Sequence, residues 1–98
     1  MSSDIDGDER ALVLREQGRP FAEIAQVLAL PSSRAANASF NRALRLRSRA
    51  DQERLRTREM ARLDDLAVRL RGRQDLSMEE IVRRMRAVKD QRKSLFVG

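Results

Sequence analysis

The sequence predicts an all-α chain: an N-terminal three-helix unit of helix-turn-helix type, followed by an antiparallel helical hairpin. Three observations lead there. Gly and Pro are few (Gly7, Gly18, Pro20, Pro31, Gly72 and Gly98), and they cut the 98 residues into four pieces. Within the pieces Ala, Leu, Arg, Glu and Gln abound while β-branched residues are scarce, which favours helix. Apolar residues recur at helical spacing, and no segment alternates cleanly as a strand would.

The first helix is expected over about 8–17. Ala11, Leu12, Leu14 and the stem of Arg15 form its apolar face, and Asp6, Asp8 and Glu9 sit at its N-terminal end, where the helix dipole favours anions. Gly18 suits the left-handed residue that follows a helix end. The second helix is expected over about 20–28. Pro20 is placed in its first turn, and Phe21, Ile24, Ala25 and Leu28 follow at i, i+3, i+4, i+7. Pro31 stops it.

Ser32 or Ser33 caps the third helix, whose apolar side is Ala36, Phe40, Ala43 and Leu44. No Gly or Pro interrupts the chain between Pro31 and Gly72, but Ser48 followed by Asp51 marks a kink or boundary near 48–51. Beyond it, Met60, Leu63, Ala67 and Leu70 make a seam widened by Leu66. After a turn at 72–76, Ser77-Met78-Glu79-Glu80 reads as a capping box, with Glu80 reaching back to Ser77. Met78, Ile81, Met85, Val88 and Leu95 continue one face of the last helix. The expected organisation is a flexible acidic N-terminus at 1–8, a DNA-binding helix-turn-helix domain at 9–49 and a hairpin for self-association at 50–98.

The composition excludes several chemistries. There is no Cys and no His, so the chain lacks a thiolate nucleophile, an imidazole base and the ligands of a Cys/His metal cluster. The acidic pairs Asp64/Asp65 and Glu79/Glu80 are adjacent on helices and do not converge. The Gly residues are too scattered to cradle a phosphate. No catalytic residue, metal or cofactor is expected. No apolar run approaches the roughly 18 residues of a membrane span, and the acidic N-terminus does not resemble a signal peptide, so a cytoplasmic protein is expected.

Charge supplies the functional signal. The net charge of +6 is unevenly spread: residues 1–9 carry only acids, whereas 24–50 carry Arg34, Arg42, Arg45, Arg47 and Arg49 with no acid at all. A helix, then Phe21-Ala-Glu23-Ile24-Ala25 through Leu28, a turn and a basic helix make a helix-turn-helix pattern whose third helix would enter a major groove. Ser33, Arg34, Asn37 and Asn41 are the expected base readers, because Arg pairs bidentately with guanine and Asn with adenine. Arg42, Arg45, Arg47 and Arg49 are the expected phosphate contacts. The plain alternative is a three-helix core with a solvated Arg face. In the hairpin, Leu55, Met60, Leu63, Leu66, Leu70, Ile81, Met85, Val88, Leu95 and Phe96 are expected to meet other subunits, since two helices alone bury little surface.

Residues 11–18, Phe21 through Leu28, Ser33-Arg34-Ala35-Ala36 and Arg42-Ala43-Leu44 together resemble the N-terminal DNA-binding region of small terminase subunits from tailed bacteriophages. Glu59-Met60-Ala61-Arg62-Leu63-Asp64-Asp65-Leu66 is similar to the family's next helix, and Ile81-Val82 through Leu95-Phe96 to its closing helix. The resemblance implies a non-catalytic packaging protein of the bacterial host cytoplasm. Its partners would be double-stranded DNA, other copies of itself in a ring, and the large terminase subunit it regulates. Ala29 departs from the pattern, standing where the family commonly has Gly, and the sequence ends where many members carry a C-terminal β segment. The competing reading is a small dimeric transcriptional regulator with the same DNA-binding motif.

Overall fold

The computed structural model describes residues 3–96. They form five α-helices and, among the described residues, no strand: α1 Ser3–Glu16, α2 Phe21–Val27, α3 Ser33–Arg45, α4 Arg49–Arg71 and α5 Met78–Ser94. The chain divides into two compact units between Gln52 and Glu53, inside the first turns of α4. This is a few residues beyond the expected boundary at 49/50.

In the first unit α3 is packed by both α1 and α2. The core is Ala11 and Leu12 from α1, Phe21, Ile24 and Ala25 from α2, and Ala36, Phe40, Ala43 and Leu44 from α3. Phe21 and Phe40 meet edge to face with ring centroids 5.7 Å apart, a geometry that matches the positive edge of one ring to the negative face of the other. The Arg15 guanidinium lies 4.0 Å from the Phe21 ring centre and closes that core at its rim.

The helix ends follow local chemistry. Gly18 has φ 89°, its N–H donates to the Arg15 carbonyl at 2.9 Å, and the Arg19 N–H donates to Leu14 at 3.2 Å. This pair of bonds is the Schellman arrangement expected at Gly18. The same arrangement ends α2, where the Leu30 N–H donates to Ala25 at 2.7 Å and the Ala29 N–H to Gln26 at 3.3 Å. Here the left-handed residue is Ala29, with φ 55°. Pro20 stands just before α2 in extended conformation rather than inside its first turn. Ser32, not Ser33, caps α3, its hydroxyl accepting from the Ala35 N–H at 3.1 Å.

α3 stops at Arg45, and a new helix starts at Arg49, so the break falls where Ser48 suggested it. The Ser48 hydroxyl accepts from the Asp51 N–H at 3.2 Å. The Gln52 amide donates back to the carbonyls of Arg45 and Arg47, at 3.3 and 2.8 Å, and ties the turn shut.

The N-terminal segment corrects an expectation. Residues 1–2 lie outside the described residues, but from Ser3 onward the segment is helix rather than a flexible tail. Acidic residues at a helix N-terminus favour the dipole, and Asp8 is docked into the first unit's core rather than left in solvent.

In the second unit α4 buries Leu55, Glu59, Leu63, Ala67 and Leu70, and α5 buries Val88, with Leu95 buried just after it. Arg92 reaches Asp64 at 2.6 Å and the Arg56 Nε donates to the Leu95 carbonyl at 2.7 Å. Later positions of α5 therefore meet earlier positions of α4. Ser77 caps α5 by accepting from the Glu80 N–H at 3.1 Å. The Glu80 carboxylate does not complete the expected box. Its two oxygens accept from Arg83 and Arg84, at 2.5 and 2.8 Å, because guanidinium donors one turn ahead outcompete a single backbone N–H.

Candidate nucleic-acid interface

α3 carries the residues on which a nucleic-acid interface would be built, and its two sides are clearly divided. Ala36, Ser39, Phe40, Asn41, Ala43 and Leu44 are buried, while Ser33, Arg34, Ala38, Arg42 and Arg45 are exposed. Residues 34, 38, 42 and 45 share one face, spaced by three or four positions.

Arg34 lies in the first turn of α3, just after the Ser32 cap, and that turn holds no acidic residue. The N-terminal end of a helix carries the positive pole of the backbone dipole, so a cation there is disfavoured and adds to an already positive potential. Among the described residues Arg34 has no carboxylate partner. Arg49 occupies the matching place at the start of α4, is exposed, and likewise has no acidic partner among the described residues. The first turn of α4 also holds Asp51, so only the start of α3 presents a cation with no acid in its turn.

Two expected readers and two expected phosphate contacts are placed differently from the sequence reading. Asn41 is buried, 5% exposed, and cannot reach a base edge. Because α1 and α2 both cover α3, the buried arc is wider than one apolar stripe and takes in position 41. Asn37 is half-buried at the border of that arc.

Arg42 is clasped by Asp8. Its Nε donates to Asp8 Oδ2 at 2.8 Å and its Nη2 to Oδ1 at 2.9 Å, while the Ser39 hydroxyl donates to Oδ1. Arg47 is paired with Glu9. Burial alone would raise the Asp8 carboxyl pKa, but the bonds from Arg42 and Ser39 and the charges of Arg42 and Arg45 outweigh it and hold it below its ordinary value.

The clasp was missed in the sequence, although a signal existed. Asp8, Ala11, Leu12 and Arg15 fall at i, i+3, i+4, i+7, so Asp8 opens the buried face of α1. Ser39 and Arg42 stand one turn apart on α3 to receive it.

The expected self-association residues also divide. Leu55, Leu63, Leu70, Val88 and Leu95 are buried within the single chain and are not available to another subunit. The reason is that one chain already supplies both packing faces, so these side chains are covered before any partner arrives. Met60, Ile81 and Met85 are half-buried. Leu66 and Phe96 are exposed, together with Met78 on the predicted face of the last helix and with Val68 and Val82, two apolar side chains not predicted to make contacts. Met78 and Val82 are four residues apart on α5 and share a face.

Among the described residues no group of three or more acidic, His or Cys side chains is placed to hold a metal ion, and no helix is long and apolar enough to cross a membrane. Compared with known proteins, the chain matches no family model, no curated protein sequence and no solved structure.

Proposed function

We propose that this chain is a non-catalytic, duplex-DNA-binding protein that assembles with copies of itself, in the manner of a small terminase subunit serving a large packaging subunit. The observation that carries the reading is the first turn of α3. Arg34 projects from a capped helix start with no acid in its turn and no carboxylate partner among the described residues. In a helix-turn-helix the N-terminal residues of the third helix approach base edges, and α2, the short turn at 28–32 and α3 supply those parts in order. Arg34 is then the leading base reader, with Ser33 and Asn37 beside it. Arg45 and Arg49 are the leading phosphate contacts, and Asn41 leaves the interface. In the second unit α4 and α5 form the hairpin, and the exposed apolar residues Leu66, Val68, Met78, Val82 and Phe96 are the surface by which copies associate.

Duplex binding measured by fluorescence anisotropy over a salt series tests the first half. Affinity is expected to fall with salt, with a log–log slope of about −0.9 per phosphate neutralised. Arg45→Ala should reduce that slope by about one contact, and Arg34→Ala should flatten the preference between duplex sequences. Salt-independent or absent binding overturns the reading. Native mass spectrometry tests the second half: a ring predicts many subunits, whereas a dimer that protects one palindrome selects the transcriptional regulator instead.

A further inference from the structure

Two consecutive acids of α1 meet two of the arginines that the basic segment would otherwise offer to a polyanion. Asp8 takes Arg42 through two hydrogen bonds, and Glu9 takes Arg47. The forked contact of Asp8 on the Nε and Nη2 of Arg42 has the geometry by which a guanidinium holds a phosphate. These carboxylates therefore occupy the donor directions and cancel the charge that a DNA backbone would use.

The pairs differ in how firmly they are held. The Asp8 side chain is 12% exposed and also receives the Ser39 hydroxyl, so the carboxylate of this pair is anchored in the first unit even though the Arg42 side chain is 51% exposed. The Glu9 side chain is 49% exposed and that of Arg47 32%, and the pair has the character of a surface ion pair that water and salt open readily. Arg34 and Arg49 stand apart from both, with no acidic partner among the described residues.

We infer that α1 carries internal phosphate decoys: Asp8, anchored by Ser39, neutralises Arg42, while Glu9 is a more readily displaced competitor that limits how far Arg47 contributes to DNA binding. The inference rests on the DNA-binding reading above. It assigns the usable charge of the first unit chiefly to Arg34 and Arg49, with Arg47 held in reserve. Binding through Arg47 must first expel the Glu9 carboxylate, so the chain's affinity is set below what its arginine count would allow. A change that removes the charge of Glu9 then acts as a gain in affinity.

The test compares the full chain with Glu9→Gln and with Glu9→Gln/Arg47→Ala in duplex binding across a salt series. Glu9→Gln is expected to steepen the log–log slope by about 0.9 and to tighten binding at low salt by about threefold or more. Adding Arg47→Ala is expected to abolish that gain. The paired replacement Asp8→Asn/Arg42→Gln, confirmed folded by circular dichroism, is expected to keep the wild-type slope, because it removes a charge pair that is already neutral. If wild type binds DNA but Glu9→Gln leaves its slope unchanged, the decoy is overturned and the DNA reading stands. A gain that survives Arg47→Ala also overturns it, since the effect is then one of overall charge. If wild type shows no salt-dependent binding, both fall together.

Discussion

Asp8 of α1 and Arg42 of α3 face each other across the first unit, joined by two hydrogen bonds of 2.8 and 2.9 Å and braced by the hydroxyl of Ser39. A residue 34 positions upstream is thus joined to α3, the helix that carries Arg34 and Arg45. Asp8→Ala removes a partly buried, charge-assisted pair and is expected to lower stability by about 1–2 kcal/mol, the half-exposed Arg42 keeping the loss modest. Urea titration of the two proteins at neutral pH measures it.

The same clasp sets a pH dependence. The Asp8 carboxyl is held below 3.8, since bonds and positive charge from α3 outweigh the effect of burial. The unfolded chain therefore takes up the proton first as pH falls. The stability from Asp8 is complete above the ordinary carboxylate range and is lost as pH drops through the lower folded-state value. The stability gap between wild type and Asp8→Asn is expected to be constant near neutrality and to close below about pH 4, as followed by denaturant titration at stepped pH.

Gly7 lies inside α1, and a Cβ built on it meets nothing within 4 Å. Its backbone freedom is a cost in a helix interior with no close contact to justify it. Gly7→Ala is expected to raise stability by about 0.5–1 kcal/mol and to raise the melting temperature accordingly.

Ala29 ends α2 in the left-handed region, φ 55°, where a Cβ crowds the backbone. Gly removes that crowding while keeping the Schellman bonds of Leu30 and Ala29. Ala29→Gly is expected to stabilise the first unit by about 1 kcal/mol, measured by chemical denaturation. A loss of stability instead would mean that the added freedom of the unfolded chain outweighs the relief.

Arg34 separates stability from function. Replacing it by Glu puts an anion in the first turn of α3, where the dipole favours one, and is expected to gain about 0.3–1 kcal/mol. The same change should abolish duplex binding if Arg34 reads DNA. Thermal melting and anisotropy on one preparation distinguish the two effects. A variant that is more stable and still binds would remove Arg34 from the interface.

What was legible from residues alone was local in origin. The helical character, the turn at Gly18, the stop before Pro31, the break at Ser48 and the cap at Ser77 each depend on backbone preferences within a few residues. So did the apolar stripe of α2 and the core face of α3, because a stripe repeating at the helical period must be covered by something. What only the tertiary structure decided was which side chains the covering took. Two helices covering α3 drew Asn41 into the core, and the docking of α1 turned Asp8 and Glu9 from a presumed tail into partners for Arg42 and Arg47. In the second unit the single chain enclosed Leu55, Leu63, Leu70, Val88 and Leu95, leaving Met78, Val82 and Phe96 outside. The physical reason is common to all three cases. Helical periodicity states which residues share a face, but how wide an arc is buried, and which distant charge meets which, depends on how many neighbours that face receives.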